Sequence, residues 1–190
     1  AYTMGADEGV ILSDRKFAGA DVLATSYALA QGIQVIGGAD LIICGRQTTD
    51  GDTAQVGPAI AEHMGLPHAA WVAEIMDVNE KSIQVRQDLV SVSQVSEIPY
   101  PCLLTIDKDT CVPRLPSYLL KKATAERPVR ILSFEDMLDH DLSRYGLIGS
   151  PTSVEKMFAP EESEKQVYLE GTAKEKADKL VALLTGKKII

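Results

Sequence analysis

Between Asp40 and Pro67 the chain reads DLIICGRQTTDGDTAQVGPAIAEHMGLP, and no other stretch restricts the fold as much. Leu41, Ile42, Ile43 and Cys44 form a short apolar run without alternation, the pattern of a strand buried on both faces of a parallel sheet. The run ends at Gly45. From there to Thr53 nearly every residue is small, polar or glycine, and Asp52 or Thr53 is placed to cap a helix starting near Ala54. Main-chain N–H groups at a helix start lack partners within the helix and sit at the positive end of its dipole, so an anion is their natural ligand. Gly45, Gly51 and Gly57 would let a phosphate approach the main chain, while Gln47, Thr48, Thr49, Thr53 and Gln55 offer hydrogen bonds to phosphate, ribose or base. The residues point to a nucleotide. An ordinary βα turn has the same outline, and Asp50 and Asp52 oppose a diphosphate unless their side chains turn away, cap the helix or bind ribose hydroxyls. The spacing is neither Walker A nor the dinucleotide fingerprint.

Taken whole, GRQTTDGDTAQVGPAIAEHMGLP resembles the signature segment of the electron transfer flavoprotein beta subunit, a strand, a G-[KR]-Q-x-x-D-x-D loop and a Q-[TV]-G helix. Gly45, Arg46, Gln47, Asp50, Asp52, Gln55 and Gly57 fall on that pattern. The resemblance implies that this segment, with Thr49, Gly51, Thr53, Ala54 and Val56, cradles an adenine nucleotide, either AMP or FAD. The implied fold is α/β: a Rossmann-like (adenine nucleotide alpha hydrolase-like) three-layer parallel sheet with an antiparallel hairpin and a C-terminal extended arm plus helix.

Upstream, Ala1–Asp7 reads as the last turn of a helix with a glycine stop. In the family a βαβ region precedes a similar A-x-x-M-G-A-D element, so the resemblance implies a chain lacking its N-terminal part. Gly9–Leu12 is expected to be a strand and Asp21–Ile36 a helix, since Val22, Leu23, Ser26, Leu29, Ala30, Ile33 and Ile36 recur at helical spacing. With the strand at Asp40 they make a βαβ unit whose strands are expected to be neighbours, both loops lying at carboxyl ends. The intervening SDRKFAGADVLATS resembles an S-D-R-x-F-x-G-A-D-T-x-A-T segment of the electron-bifurcating branch, in which this subunit holds FAD and NADH supplies hydride. By that resemblance Asp14, Arg15, Phe17, Gly19, Ala20, Asp21 and Thr25 lie near the flavin or its ribityl chain. Val22 departs from the pattern, where threonine is usual. The residues alone also allow a surface loop in which Arg15 pairs with Asp14 or Asp21 and Phe17 packs over the helix.

Farther on, Ala69–Val78 and Ser82–Val92 are expected as an antiparallel hairpin turning at Asn79-Glu80-Lys81. Trp71 reads as core or interface rather than a flavin stack, and His63 and His68 as polar decoration at the end of the signature helix. Cys102–Asp107 reads as a central strand. The segment VPRLPSYLLKKATAERPVRIL resembles the family's P-R-[YL]-x-[ST] recognition loop, which implies that Arg114, Leu115, Tyr118 and Leu119 contact a dehydrogenase; a short helix packed on its own domain is the alternative. Val129–Leu132 reads as a strand, Phe134–Leu138 as a short helix, Asp139–Glu164 as an irregular arm, and Ala173–Leu184 as a helix capped by Thr172. Glu161, Glu162 and Glu164 read as a solvated acidic cluster. The expected division is a nucleotide-binding domain over residues 1–132 and an arm plus helix over 133–190 that contacts the alpha subunit.

A formal net charge of −8 argues against nucleic acid and anionic membrane as partners, and no run of about 20 apolar residues is present to span a bilayer. Cys44, Cys102 and Cys111 lack metal or CxxC spacing and suit a reducing cytoplasm. No nucleophile or metalloprotease motif occurs, so any redox chemistry belongs to a cofactor. The resemblance implies an electron carrier that pairs with an alpha subunit and exchanges electrons with acyl-CoA or other dehydrogenases. An AMP-binding structural subunit without its own redox centre, and a stress-protein-like ATP-binding module, remain open alternatives.

Overall fold

The computed structural model describes residues 1–159 and 168–189 and divides into two compact units, Ala1–Ser153 and Val154–Ile190. In the first unit, strands β1 (Val10–Leu12), β2 (Leu41–Gly45), β3 (His68–Val78), β4 (Ser82–Asp88), β5 (Ser93–Pro99), β6 (Cys102–Ile106) and β7 (Arg130–Leu132) combine with helices α1 (Val22–Val35), α2 (Val56–Met64) and α3 (Tyr118–Ala123). Five strands form a mixed sheet in the order β2-β6-β3-β4-β5. β2, β6 and β3 run parallel, and β3, β4 and β5 form an antiparallel meander. The expected hairpin is therefore three-stranded. Leu89–Val92 turns, with the Leu89 N–H bonded to Val92 O at 2.9 Å, and Ser93–Pro99 returns along β4. Alternation is weak in SQVSEIP, where only Ile98 is buried, so the third strand carried no clear period.

β1 does not pair with β2. It pairs in parallel with β7 in a separate two-stranded sheet, so the expected neighbouring βαβ unit is corrected. The reason is competition for edges: β6 pairs with β2 from Leu41↔Cys102 to Gly45↔Ile106, and β7 pairs with β1 from Val10↔Arg130 to Leu12↔Leu132. Helix α1 still packs toward both. Tyr27 and Ala28 join Leu132, Phe134, Met137 and Tyr145 in one apolar cluster, while Ala30 joins Ile42, Ile60, Ala61 and Leu103 in another. α1 starts where the sequence indicates, because the Asp21 carboxylate accepts from the Leu23 and Ala24 amides at 2.9 and 3.2 Å. The opposite face of the five-stranded sheet carries a third cluster built from Ala69, Val72, Ile83, Val85, Ile98, Cys102 and Leu104.

The first unit also continues past 132. Phe134, Met137 and Tyr145 bring the segment after β7 into the core. His63 is not surface decoration: its ring meets Tyr27 edge-on at 5.3 Å, and its Nε2 is buried without a hydrogen bond. In the second unit α4 (Ala173–Gly186) begins with a capping box between Thr172 and Glu175, and its Leu180 and Val181 are exposed. Glu161, Glu162 and Glu164 lie outside the described residues. No helix among the described residues is long and apolar enough to cross a membrane.

Candidate functional site

The parallel strands β2 and β6 deliver their carboxyl ends to one place. At the end of β2 the Arg46 N–H makes one more parallel ladder bond, to Ile106 O at 3.0 Å, and the chain then leaves the sheet. Residues 47–55 join neither helix nor strand. The Gln47 side-chain amide donates to the Asp52 carboxylate, drawing the loop into a ring. Asp50 is held below the ordinary carboxylate range first by the Thr48 hydroxyl and then by the Gly51 amide. Both acids that opposed a phosphate are thus engaged within the loop.

Neither Asp52 nor Thr53 caps the helix, which corrects the expected start. α2 begins at Val56, Gln55 stands at its N-cap, and no side chain accepts from the first turn. Among the described residues the Val56 and Gly57 amides have no acceptor. Pro58, in the first turn, has no amide to satisfy. Asp52 and Ala54 have φ of 50° and 54°, a left-handed geometry that aspartate tolerates and alanine resists. Backbone strain of this kind persists where surrounding structure imposes it and gathers at binding sites.

Two cavities flank the loop. One of about 340 Å³ lies between residues 45–48 and 53–57, with Thr25 and Leu29 of α1 and Ile60 of α2 as its far wall. That volume falls in the range of small-ligand pockets. A β-carbon placed on Gly45 would meet no atom within 4 Å, whereas one on Gly57 would lie 2.4 Å from Thr105 Cγ2. Gly57 thus allows α2 to approach the sheet, and Gly45 opens the cradle. The second cavity, about 650 Å³, is bounded by Gly45–Thr49, Asp52 and Ile106–Lys108. Asp50 and Gly51 form the exposed loop tip and line neither cavity. Cys44, in the smaller cavity's wall, is a free thiol that burial holds in its protonated form.

Sequence similarity joins this geometry at the same residues. Residues 1–137 match the family described as the electron transfer flavoprotein domain. The chain belongs to the electron transfer flavoprotein family. It is 42% identical over 189 residues to Protein FixA of Azorhizobium caulinodans, covering 96% of this chain and 67% of that protein. It is 39% identical over 184 residues to the electron transfer flavoprotein subunit beta of Clostridium acetobutylicum (97% and 70%) and 40% identical over 188 residues to the caffeyl-CoA reductase-Etf complex subunit CarD of Acetobacterium woodii (98% and 71%).

In this electron transfer flavoprotein chain the Ser13–Thr25 segment splits between two roles. Thr25 reaches the 340 Å³ cavity and, with Phe17 and Ala20, an adjoining apolar cavity of about 160 Å³. Asp14 and Asp21 reach neither. Asp14 caps the turn Arg15–Phe17 and accepts from the Phe134 amide at 3.0 Å. Asp21 caps α1 with one oxygen and accepts from the Thr152 amide and hydroxyl with the other, at 3.1 and 2.8 Å. Arg15 is exposed and pairs with neither aspartate; the ion pair here is Lys16 with Glu135, at 2.7 Å. Phe17 packs against Tyr145 with ring centroids 5.8 Å apart.

The residues expected to form a recognition loop line neither cavity beside the Gly45–Gly57 segment. Leu115, Tyr118 and Leu119 are 88%, 69% and 77% exposed, and α3 buries none of its residues. Arg114 instead bonds the Met4 carbonyl, and the Ser117 N–H donates to Thr3 O at 2.9 Å, tying this loop to the N-terminal turn Tyr2–Met4. Two residues not expected at the site meet it. Asp107 pairs with Arg46 at 2.7 Å, and Trp71 lies under the Arg46 guanidinium at 4.2 Å. Only the strand order β2-β6-β3 makes them neighbours.

Acid should loosen these loop anchors. The Lys16 and Phe134 amides hold Asp14 low, the Arg46 guanidinium holds Asp107 low, and the Tyr27 hydroxyl holds Asp139 low. For Asp21 burial pushes upward, but the Thr152 hydroxyl and the amides of Ala24, Thr152 and Leu23 outweigh it, leaving the group lowered. A carboxyl with a depressed folded pKa contributes stability above its unfolded value, about 3.9, and loses it as pH falls through the folded value. Thermal scans are expected to show little change from these groups between pH 5 and 7 and a falling Tm below about pH 4. A Tm unchanged to pH 2.5 would contradict the assignment.

Proposed function

We propose that this chain is the beta-type subunit of a heterodimeric electron transfer flavoprotein and holds an adenine nucleotide in the cavity between Gly45 and Gly57. One observation carries the reading: Val56 and Gly57, whose amides open α2 and lack acceptors among the described residues, line a cavity whose wall opens at Gly45. A phosphate would take those amides at the positive end of the helix. Gln47, Thr48, Thr53 and Gln55 supply side-chain hydrogen bonds, and Thr25 and Leu29 close the far side. Bound flavin supplies the redox chemistry; the chain's own residues bind it, orient it and exclude water. The likeness to a subunit of a caffeyl-CoA reductase-Etf complex supports assembly with a reductase, and the resemblance of the Ser13–Thr25 segment to the bifurcating branch supports FAD and an NADH-linked role. An alpha subunit would complete the heterodimer, and exposed Leu115, Tyr118 and Leu119 suit docking of a dehydrogenase.

A second reading, AMP as a purely structural ligand, is favoured by the engagement of Asp14 and Asp21 within the protein, which leaves Thr25 as that segment's contact with the nucleotide cavity. Chromatography of the nucleotide released on denaturing the heterodimer separates the two. FAD as the beta-site nucleotide supports the redox role, AMP supports the structural one, and neither overturns both. Gly45→Ala adds a second check. The added methyl has open space and an ordinary φ, so Tm should stay within about 2 °C, while nucleotide affinity falls about tenfold because the methyl occupies the cradle. Unchanged affinity would remove the ligand from this cavity.

A further inference from the structure

Trp71 sits where a regular strand would not put it. Ala69 and Val72 belong to the same core cluster although they are three residues apart, which strict alternation forbids. The pairing of β3 with β6 shifts register between them, and the excess is absorbed at Trp71, whose φ is 60°. For a bulky side chain this is an outlier that persists only when its surroundings over-determine it. They do so here. The Trp71 N–H donates to Thr105 Oγ1 at 3.0 Å, and the neighbouring Ala70 carbonyl accepts from the Gln87 side chain at 2.8 Å. Thr105, 1% exposed, is the residue whose methyl abuts Gly57.

This bulge presents the indole face to the Arg46 guanidinium at 4.2 Å, and Asp107 takes one guanidinium nitrogen at 2.7 Å. The carboxylate alone is a poor anchor, because a partly exposed ion pair is screened by solvent and loses side-chain entropy. A flat aromatic surface adds cation–π attraction and holds the plane of the fork. Arg46 accordingly keeps its Nε buried with no hydrogen-bond partner. Its side chain thereby joins the carboxyl ends of β2 and β6 to the bulge in β3, and Arg46 lines both cavities.

We propose that Trp71 is the positioning residue of the nucleotide loop: its ring fixes Arg46, and through Arg46 it fixes the Gly45–Thr48 wall of the cavity. The proposal rests on the nucleotide reading above but is testable without it. Titration of AMP into the full chain is expected to show about fivefold weaker binding for Trp71→Leu and a change under twofold for Trp71→Phe, which keeps a ring under the guanidinium. In an Arg46→Ala background, Trp71→Leu should cause no further loss, since the partner it positions is gone. Independent, multiplying losses would overturn the proposal, as would wild-type affinity in Trp71→Leu. Hydrogen exchange of the nucleotide-free chain supplies the separate readout. The Gly45–Thr49 amides should exchange faster in Trp71→Leu than in the wild type, and at wild-type rates in Trp71→Phe. If wild-type chain binds neither AMP nor FAD, the nucleotide reading fails while this exchange difference still decides the positioning role; equal exchange in all three proteins overturns it. Should Trp71→Leu not fold, Arg46→Ala takes its place in both measurements, with the emission of Trp71, the one tryptophan in the chain, expected to shift on removal of the guanidinium.

Discussion

Gly57→Ala is expected to destabilise the chain by about 1–3 kcal/mol and to abolish the proposed nucleotide binding, although alanine is the better helix former. Propensity alone predicts the opposite sign, a gain of up to about 1 kcal/mol on replacing a helical glycine. Contact geometry reverses it. The added carbon would lie 2.4 Å from Thr105 Cγ2 and 3.6 Å from Cys44 and Leu103 side-chain atoms. Thr105 cannot swing aside without releasing the Trp71 amide, and Leu103 is fully buried. The first turn of α2 must therefore lift from β6, displacing Val56 and Gly57 from the cavity wall they form. Urea denaturation measures the stability change, and calorimetry with AMP measures the affinity. The contrast with Gly45→Ala is informative: one glycine is required by the folded chain itself, the other by what the cavity receives. A Gly57→Ala chain as stable as the wild type would show that α2 and β6 are farther apart than this packing.

The reason these glycines could be read in advance, while Trp71 could not, lies in the range of the interactions. The strand at Leu41, the loop after Gly45 and the helix near Ala54 are set by neighbours within a few residues, so apolar runs and small residues mark them directly. Even there the expected cap is not used. Asp52 prefers the Gln47 side chain across the loop to the helix amides, a choice between two local bonds that composition does not rank. Trp71, Thr105 and Asp107 enter the site because β6, more than 50 residues after β2, inserts between β2 and β3. The pairing of β1 with β7 has the same origin. No local period encodes which distant strand claims an edge. The third strand of the meander leaves no mark in the sequence for a different reason: Val95 is half exposed and Ile98 alone is buried, so β5 carries almost no amphipathic signal.

Tyr145 shows how a segment that reads as a loose arm becomes part of the core, and Tyr145→Ala is expected to cost about 3–5 kcal/mol. The side chain is 1% exposed and its ring lies 5.1 Å from Phe134, 5.3 Å from Tyr27 and 5.8 Å from Phe17, in tilted or edge-on geometries. Its hydroxyl donates to Asp139 O at 2.7 Å. Against a typical domain stability of about 5–15 kcal/mol, loss of this ring removes a large share and frees the Arg15–Phe17 turn from its packing. Tyr145→Phe keeps the rings in contact and should cost about 1 kcal/mol near neutral pH, chiefly by leaving the Asp139 carbonyl without its donor. The pH dependence separates the two contributions. Burial pushes the Tyr145 hydroxyl up to about 12, so its contribution is intact below the unfolded value, about 10, and is lost as pH rises through the folded one. Tyr27, also raised by burial, weakens the wild type and the Phe variant alike over that range. The gap between wild type and Tyr145→Phe is therefore expected to narrow from pH 10 to 12, read by urea midpoints at each pH. A gap that stays constant would mean that the hydroxyl is not buried, and a Tyr145→Ala chain of wild-type stability would mean that the segment after β7 does not close the core.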